Sequence, residues 1–222
     1  LIYLQNSGLG NTINPLISLS HKDVYSIPMI LLIGWRGEIL EDKSQLEDEP
    51  QHRAQGKITC KQLELMGIDY FILDANSINY KKLINIYLKK SLKNSTPFAI
   101  VVRKNCFKKT KKLSLRNQAS RLLSREKIIK LITKSIPKET TIVSTTGFTS
   151  RELFETRKIQ RMNHIHDFLT LGGMGHTSQI AAGIALAKPF HRILCIDGDG
   201  SLLMHSGAMA VNALCSNLVH IV

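Results

Sequence analysis

The chain alternates between short, uninterrupted apolar runs and longer segments whose apolar residues recur at helical spacing. In the first half the runs are Leu1 to Leu4, Met29 to Ile33, Tyr70 to Leu73 and Phe98 to Val102. A short run with no polar alternation predicts a strand buried on both faces, as in a parallel sheet. The second half repeats the pattern with Thr141 to Thr145, Arg192 to Ile196 and Leu218 to Val222. Helices are predicted over Thr177 to Ala187 and from about Ser206 to Cys215. Ser124 is placed to cap a helix running to Ser135, with Ile128, Ile129, Leu131 and Ile132 on its apolar side. Pro137 stops it.

This alternation predicts an α/β protein of two doubly wound, mostly parallel-sheet domains, 1–103 and 124–222, joined by a linker at 104–123. The chain starts at Leu1 and ends at Val222 inside an apolar run, so both domains are expected to be incomplete.

Composition narrows the class. Of 222 residues, 43% are hydrophobic and 21% charged, which suits a folded chain. No apolar run approaches the roughly 18 residues of a membrane span. No secretory signal is visible. Cys60, Cys106, Cys195 and Cys215 stand far apart, without metal or disulfide spacing, so a reducing cytoplasm is expected. Net charge is +13, and it is local: residues 101–138 hold thirteen Lys and Arg against the single acid Glu126. Such a stripe raises the question of nucleic acid. Phe107 is its only aromatic residue, so it offers no stacking platform. A solvated linker and a polar helix face are the expected reading, without a nucleic-acid partner.

The chemistry concentrates in the second half. Ile193-Leu194-Cys195-Ile196-Asp197-Gly198-Asp199-Gly200-Ser201 reads as a strand, an acid between two glycines, and a helix start. Glycines there let backbone N–H groups approach phosphate oxygens, and Asp199 can hold a hard cation such as Mg²⁺. Leu171-Gly172-Gly173-Met174-Gly175-His176-Thr177 is a second glycine loop, before a small-residue helix. Thr145-Thr146-Gly147-Phe148 is a third, at another strand end. His164-x-His166-Asp167 has metal-like spacing, but imidazoles suit zinc better than Mg²⁺. His21, His191, His205 and His220 carry no argument.

Gly198-Asp199-Gly200, preceded by Gly172-Gly173-Met174-Gly175, resembles the diphosphate-binding domain of thiamine-diphosphate enzymes. Gln5-Asn6-Ser7-Gly8-Leu9-Gly10-Asn11 and Ser26 to Ile30 resemble their pyrimidine-binding domain. Gly34-Trp35-Arg36-Gly37-Glu38, Asp48-Glu49-Pro50-Gln51-His52 and Gln55-Gly56 are similar to the phosphonopyruvate decarboxylase branch of that family.

The resemblance implies thiamine diphosphate and Mg²⁺ as cofactors, a 2-oxo acid as substrate, and a homo-oligomer with its active site at a subunit interface. Asp199 would ligand the Mg²⁺. Gly198, Gly200, Ser201, Thr146 and Gly147 would surround the diphosphate, and the Gly172 carbonyl would accept from the aminopyrimidine. Met174 would hold the cofactor bent. Arg36, then Arg53, would meet the substrate's anionic groups. His52 would take a proton-transfer or anion-contact role, and Asn6 and Asn11 would line the reactive side. The implied reaction is decarboxylation of 3-phosphonopyruvate to phosphonoacetaldehyde, with sulfopyruvate or another 2-oxo acid as the other candidates. The family's activating Glu and a metal-binding Asn are expected to fall outside this chain, which alone would then be inactive. A catalytically silent remnant or a basic nucleic-acid-binding module are the readings from a different class.

Overall fold

The computed structural model describes residues 1–108 and 123–222. The chain divides into two compact units, Leu1–Leu113 and Ser114–Val222. Most of the predicted basic linker, 109–122, lies outside the described residues.

Unit one runs β1 (Ile2–Gln5), α1 (Ile13–Ser18), β2 (Ile30–Gly34), α2 (Pro50–Leu65), β3 (Asp69–Leu73), α3 (Tyr80–Asn94) and β4 (Phe98–Val102). A 3₁₀ turn at Asn6–Thr12 joins β1 to α1. The sheet order is β1-β2-β4-β3, and every pair is parallel. Successive residues of a strand point to opposite faces. Leu31, Ile33, Ala99 and Val101 therefore pack on one side with Leu63 of α2 and with Leu9 and Leu16. Ile100, Val102, Phe98 and Phe71 pack on the other with Leu83, Ile84, Tyr87 and Leu88 of α3. The inner strands β2 and β4 are covered on both faces, which is why they read as unbroken apolar runs; the run at Leu1 to Leu4 is not a buried strand, because β1 lies at the sheet edge with Tyr3 exposed. Each fully buried Leu, Ile or Val contributes about 1.5–3 kcal/mol relative to leaving it exposed. Pro50 opens α2 at a position where its missing N–H costs nothing.

Unit two runs α4 (Arg125–Ser135), β5 (Thr141–Ser144), α5 (Phe148–Ile159), β6 (Asp167–Leu169), α6 (Thr177–Ala187), β7 (Ile193–Ile196), α7 (Asp199–Met204), α8 (Met209–Asn212) and β8 (Leu218–Ile221). The order is β6-β5-β7-β8, again parallel throughout. Val143, Ile193 and Cys195 pack against Ala181, Ala182 and Ala185 of α6. Ile142, Leu194 and Ile196 pack against Ile129 of α4 and Leu153 of α5. The Ser124 hydroxyl accepts from the Lys127 N–H at 3.4 Å, the predicted cap.

Two features of unit two differ from expectation. Strand β6 opens on an acid, which hid it: the Asp167 side chain is wholly buried and accepts from Nε and Nη2 of Arg157 at 3.0 and 2.8 Å. The metal-like spacing at His164 to Asp167 is thus taken up by an ion pair, with His164 Nδ1 3.3 Å from Asp167 Oδ2. The helix predicted over Ser206 to Cys215 is shorter, a 3₁₀ turn at Ser206–Ala208 followed by α8. Gly207 lowers the helical preference of that segment. Among the described residues no helix is long and apolar enough to cross a membrane. All four cysteines are free.

Candidate active site

In an open parallel sheet, ligands gather beyond the carboxyl ends of the strands, where the strand order reverses. In unit two the chain passes from β5 outward to β6 and then back across to β7, so the reversal lies between β5 and β7. The loops that follow these three strands are the three glycine loops of the sequence, and direct contacts tie them together. Thr146 Oγ1 donates to the Leu171 carbonyl at 2.7 Å. The Gly175 N–H donates to Ser201 Oγ at 3.0 Å. A Cβ added at Gly198 would lie 3.7 Å from Thr145 Cγ2.

Backbone conformation explains the glycines. Gly147, Gly173 and Gly175 have φ of 91°, 63° and 94°, a region that side-chain-bearing residues rarely enter. Gly175 is also crowded: a Cβ would meet His205 Nδ1 at 2.9 Å and Met204 Cβ at 3.0 Å. Met174 stands between two left-handed glycines and is 46% exposed, so the loop holds an apolar side chain out of the core.

These residues fit a metal-bound diphosphate. Asp199 is exposed, and its Oδ1 accepts from the Gly200 N–H at 2.8 Å. A Cβ at Gly147 or Gly200 would meet nothing within 4 Å, so both loops have open space beside them. The buried Thr145 hydroxyl has no partner. A carboxylate for a hard cation, open backbone and a spare hydroxyl are the groups such an anion needs. Gly172 is partly buried in the same loop, and Ser201 is buried with its Oγ engaged by Gly175.

In unit one, Asn6, Arg36 and His52 meet around the turn after β2. Asn6 is buried; its Nδ2 donates to the Arg36 carbonyl and to Thr59 Oγ1, both at 3.0 Å, and its Oδ1 accepts from the Arg36 N–H at 3.1 Å. The Arg36 guanidinium is held in a two-pronged contact by Asp48, with Nε to Oδ2 at 3.0 Å and Nη2 against Oδ1. That contact raises the Arg36 pKa and holds the Asp48 carboxyl down to about 2. His52 is largely buried, with Nε2 3.5 Å from Glu49 Oε2 and Nδ1 unpartnered. Burial, aided by the charge on Arg36, pushes its pKa below the ordinary histidine value, which favours the neutral ring. Asn11 is exposed in the 3₁₀ turn and does not join this group.

The turn borders a cleft of about 470 Å³ at the carboxyl ends of β1, β2 and β4, with Trp35, Arg36, Asp48, Arg103 and Lys104 among its walls. Arg103 lies over the Trp35 ring at 5.5 Å and 3.5 Å from the buried Glu38. Asp48 as the partner of Arg36 escaped the sequence reading. An acid twelve positions from an arginine, across a loop, gives no signal of its own. Gly56 gave one: a glycine inside a helix marks a close approach.

The fold and the tied glycine loops around Asp199 are those of an α/β protein whose open backbone and exposed acid suit a metal-bound phosphate group. Residues 145–222 match the family model described as thiamine pyrophosphate enzyme, C-terminal TPP binding domain. Over 98% of its length it is 30% identical to phosphonopyruvate decarboxylase from Streptomyces hygroscopicus and 30% identical to that from Streptomyces viridochromogenes. It spans 55% and 56% of those two proteins, about half the length of these curated relatives. Over 41% of the chain it is 37% identical to sulfopyruvate decarboxylase subunit beta from Methanothermobacter thermautotrophicus, covering 46% of that protein.

Proposed function

We propose that these residues form part of a thiamine-diphosphate- and Mg²⁺-dependent decarboxylase that converts 3-phosphonopyruvate to phosphonoacetaldehyde and CO₂. The observation that carries the reading is the tying of three glycine loops around an exposed Asp199 at the sheet's switch point. Similarity to phosphonopyruvate decarboxylases along nearly the whole chain supports the substrate.

Asp199 would hold Mg²⁺, while Gly198, Gly200, Ser201, Thr146 and Gly147 would surround the diphosphate. The Gly172 carbonyl would accept from the cofactor's amino group, and Met174 would pack against the cofactor. Thiamine diphosphate, when bound, supplies an electron sink as the carboxylate leaves. In the pyrimidine-binding half, neutral His52 serves proton transfer or anion contact. Arg36 meets the substrate's anionic groups in exchange with Asp48. Asn6 acts by holding the Arg36 backbone, and Asn11 contributes from the adjoining turn. The assembly is a homo-oligomer in the cytoplasm with its site at a subunit interface; exposed Leu171, Met174 and Leu203 beside the glycine loops support an apolar partner surface.

The test is CO₂ release from 3-phosphonopyruvate, with Mg²⁺ and thiamine diphosphate, by a polypeptide of the relatives' length that contains these residues. Sulfopyruvate and pyruvate run in parallel, and Asp199→Ala serves as the blank. Preference for phosphonopyruvate, lost in the variant, is the expected result. Turnover on sulfopyruvate alone favours the second reading, which the sulfopyruvate decarboxylase similarity supports. No turnover and no cofactor binding refutes both.

A further inference from the structure

In the glycine loop after β7, Gly198 and Gly200 have no side chains to anchor it, and the contact of Ser201 with Gly175 lies at its far end. Its support comes from below. Asp197, the last residue before the loop, has a side chain only 1% exposed. Its Oδ1 accepts from the Gly198 N–H at 2.9 Å, and its own N–H donates to the Ile221 carbonyl of β8 at 2.8 Å. Its Oδ2 lies 3.3 Å from Nε2 of His220, a ring 9% exposed on β8. The β7–β8 register sets Cys195 opposite His220, which places the ring beside Asp197. His220 Nδ1 is buried without a partner, so Nε2 is the ring's only anchoring atom and carries its proton toward the carboxylate.

We infer that His220 is a positioning residue: it orients Asp197, which holds the Gly198 N–H and thereby sets the direction of the Asp199 loop. A buried carboxylate keeps its place only while its oxygens are paired. Loss of the Nε2 donor leaves Oδ2 without this partner in the interior, and the carboxylate then turns from Gly198. The three side chains Cys195, Asp197 and His220 cluster closely enough to suggest a metal. Cys195 is wholly buried in the apolar cluster with Val143, Ala181 and Ile193, and the Asp197–His220 contact is the better account of the cluster.

The test compares His220→Phe, which keeps the shape without a donor, with His220→Gln, whose amide reaches as far as Nε2. The first readout is amide exchange at Gly198 in the chain without added cofactor, with the β7 amides of Leu194 and Cys195 as the internal reference. His220→Phe should speed exchange at Gly198 by about tenfold more than at the reference amides, and His220→Gln should restore it to within about threefold of the parent. A merely structural histidine would move all these amides together, and that result overturns the inference. Should His220→Phe fail to fold, Gln against Asn makes the same distinction, because Asn falls one methylene short. The second readout, calorimetric affinity for Mg²⁺–thiamine diphosphate, rests on the proposed function and should follow the same order. A parent chain that binds no cofactor refutes that function alone, and Gly198 exchange still decides the role of His220.

Discussion

Replacing Gly56 by Ala sets two effects of opposite sign against each other. Within a helix the change gains up to about 1 kcal/mol of intrinsic propensity. At this position, however, the new Cβ would lie 1.9 Å from the Gly37 carbonyl oxygen, 2.4 Å from its carbon and 2.7 Å from the Arg36 oxygen. Ordinary contact begins near 3.4 Å, so the helix and the turn must part by about 1.5 Å, the gap between 3.4 and 1.9 Å. Two hydrogen bonds span the same contact: Trp35 Nε1 donates to the Gly56 carbonyl, and Asn6 Nδ2 donates to Thr59 Oγ1, each at 3.0 Å. A shift of that size breaks both and strands buried donors, at about 1–3 kcal/mol each. The net is a loss of about 3 kcal/mol, after the propensity gain is subtracted. Trp35 is the only tryptophan, so its fluorescence during urea unfolding reports on this contact directly. The midpoint should fall by roughly 1–2 M at unchanged slope. Gly183→Ala in α6 is the control, since its Cβ would meet nothing within 4 Å and the helix should gain up to about 1 kcal/mol. If Gly56→Ala were neutral or stabilising like its control, close packing of α2 on the 36–37 turn would not be what shapes the cleft.

Three further outcomes are expected. The Asp48 carboxyl lies at about 2 in the folded chain against an ordinary 3.8, so its contribution is complete above pH 4 and is lost as pH falls toward 2. The shift is worth roughly 2 kcal/mol unscreened, but Arg36 is 39% exposed, which leaves about 1 kcal/mol; stability of Asp48→Asn measured from pH 6 to 2 should lack that part of the acid slope. His52 should titrate below the ordinary histidine range in a two-dimensional NMR titration, and a value at or above 6.5 would contradict its burial against Arg36. Arg157→Met should cost about 3–5 kcal/mol in thermal or urea unfolding, because it strands the buried Asp167, whereas Arg125→Met, at the half-exposed pair with Glu152, should cost about 1 kcal/mol or less.

The strands that sit between two helical layers were legible because burial on both faces writes an unbroken apolar run; Phe98–Val102 is the clearest case. Helix α4 was legible through its cap and Thr177–Ala187 through its small residues. Strand β6 was not, because its first residue is a carboxylate neutralised by an arginine ten positions earlier, a pairing that only the fold brings about. The glycine loops could be found as motifs; at Gly147, Gly173 and Gly175 the backbone takes a conformation that favours glycine, whereas Gly198 and Gly200 have neither positive φ nor a crowded Cβ position. The supports beneath them could not. His220 reads as an isolated histidine until β8 pairs with β7, and Asp48 reads as a surface acid until the loop folds back on Arg36.

This division follows from how a site is built on a parallel sheet. Strand pairing and two-sided packing are satisfied by many apolar residues, so they leave a redundant signal spread along the chain. The loops beyond the strand ends have no such redundancy. There the backbone itself is the working surface, and glycines at positive φ, Gly37, Gly147, Gly173 and Gly175, expose it. Each forgoes side-chain contacts and adds chain entropy to the unfolded state, on the order of 1 kcal/mol per residue. Single polar contacts offset that cost: Asp48 to the Gly37 N–H, Ser201 to the Gly175 N–H, Asp197 to the Gly198 N–H. In every case a partly or fully buried side-chain oxygen receives the amide of a glycine. The loops are therefore rigid through a few specific acceptors, and losing one of these should disturb the loop above it far more than the sheet below.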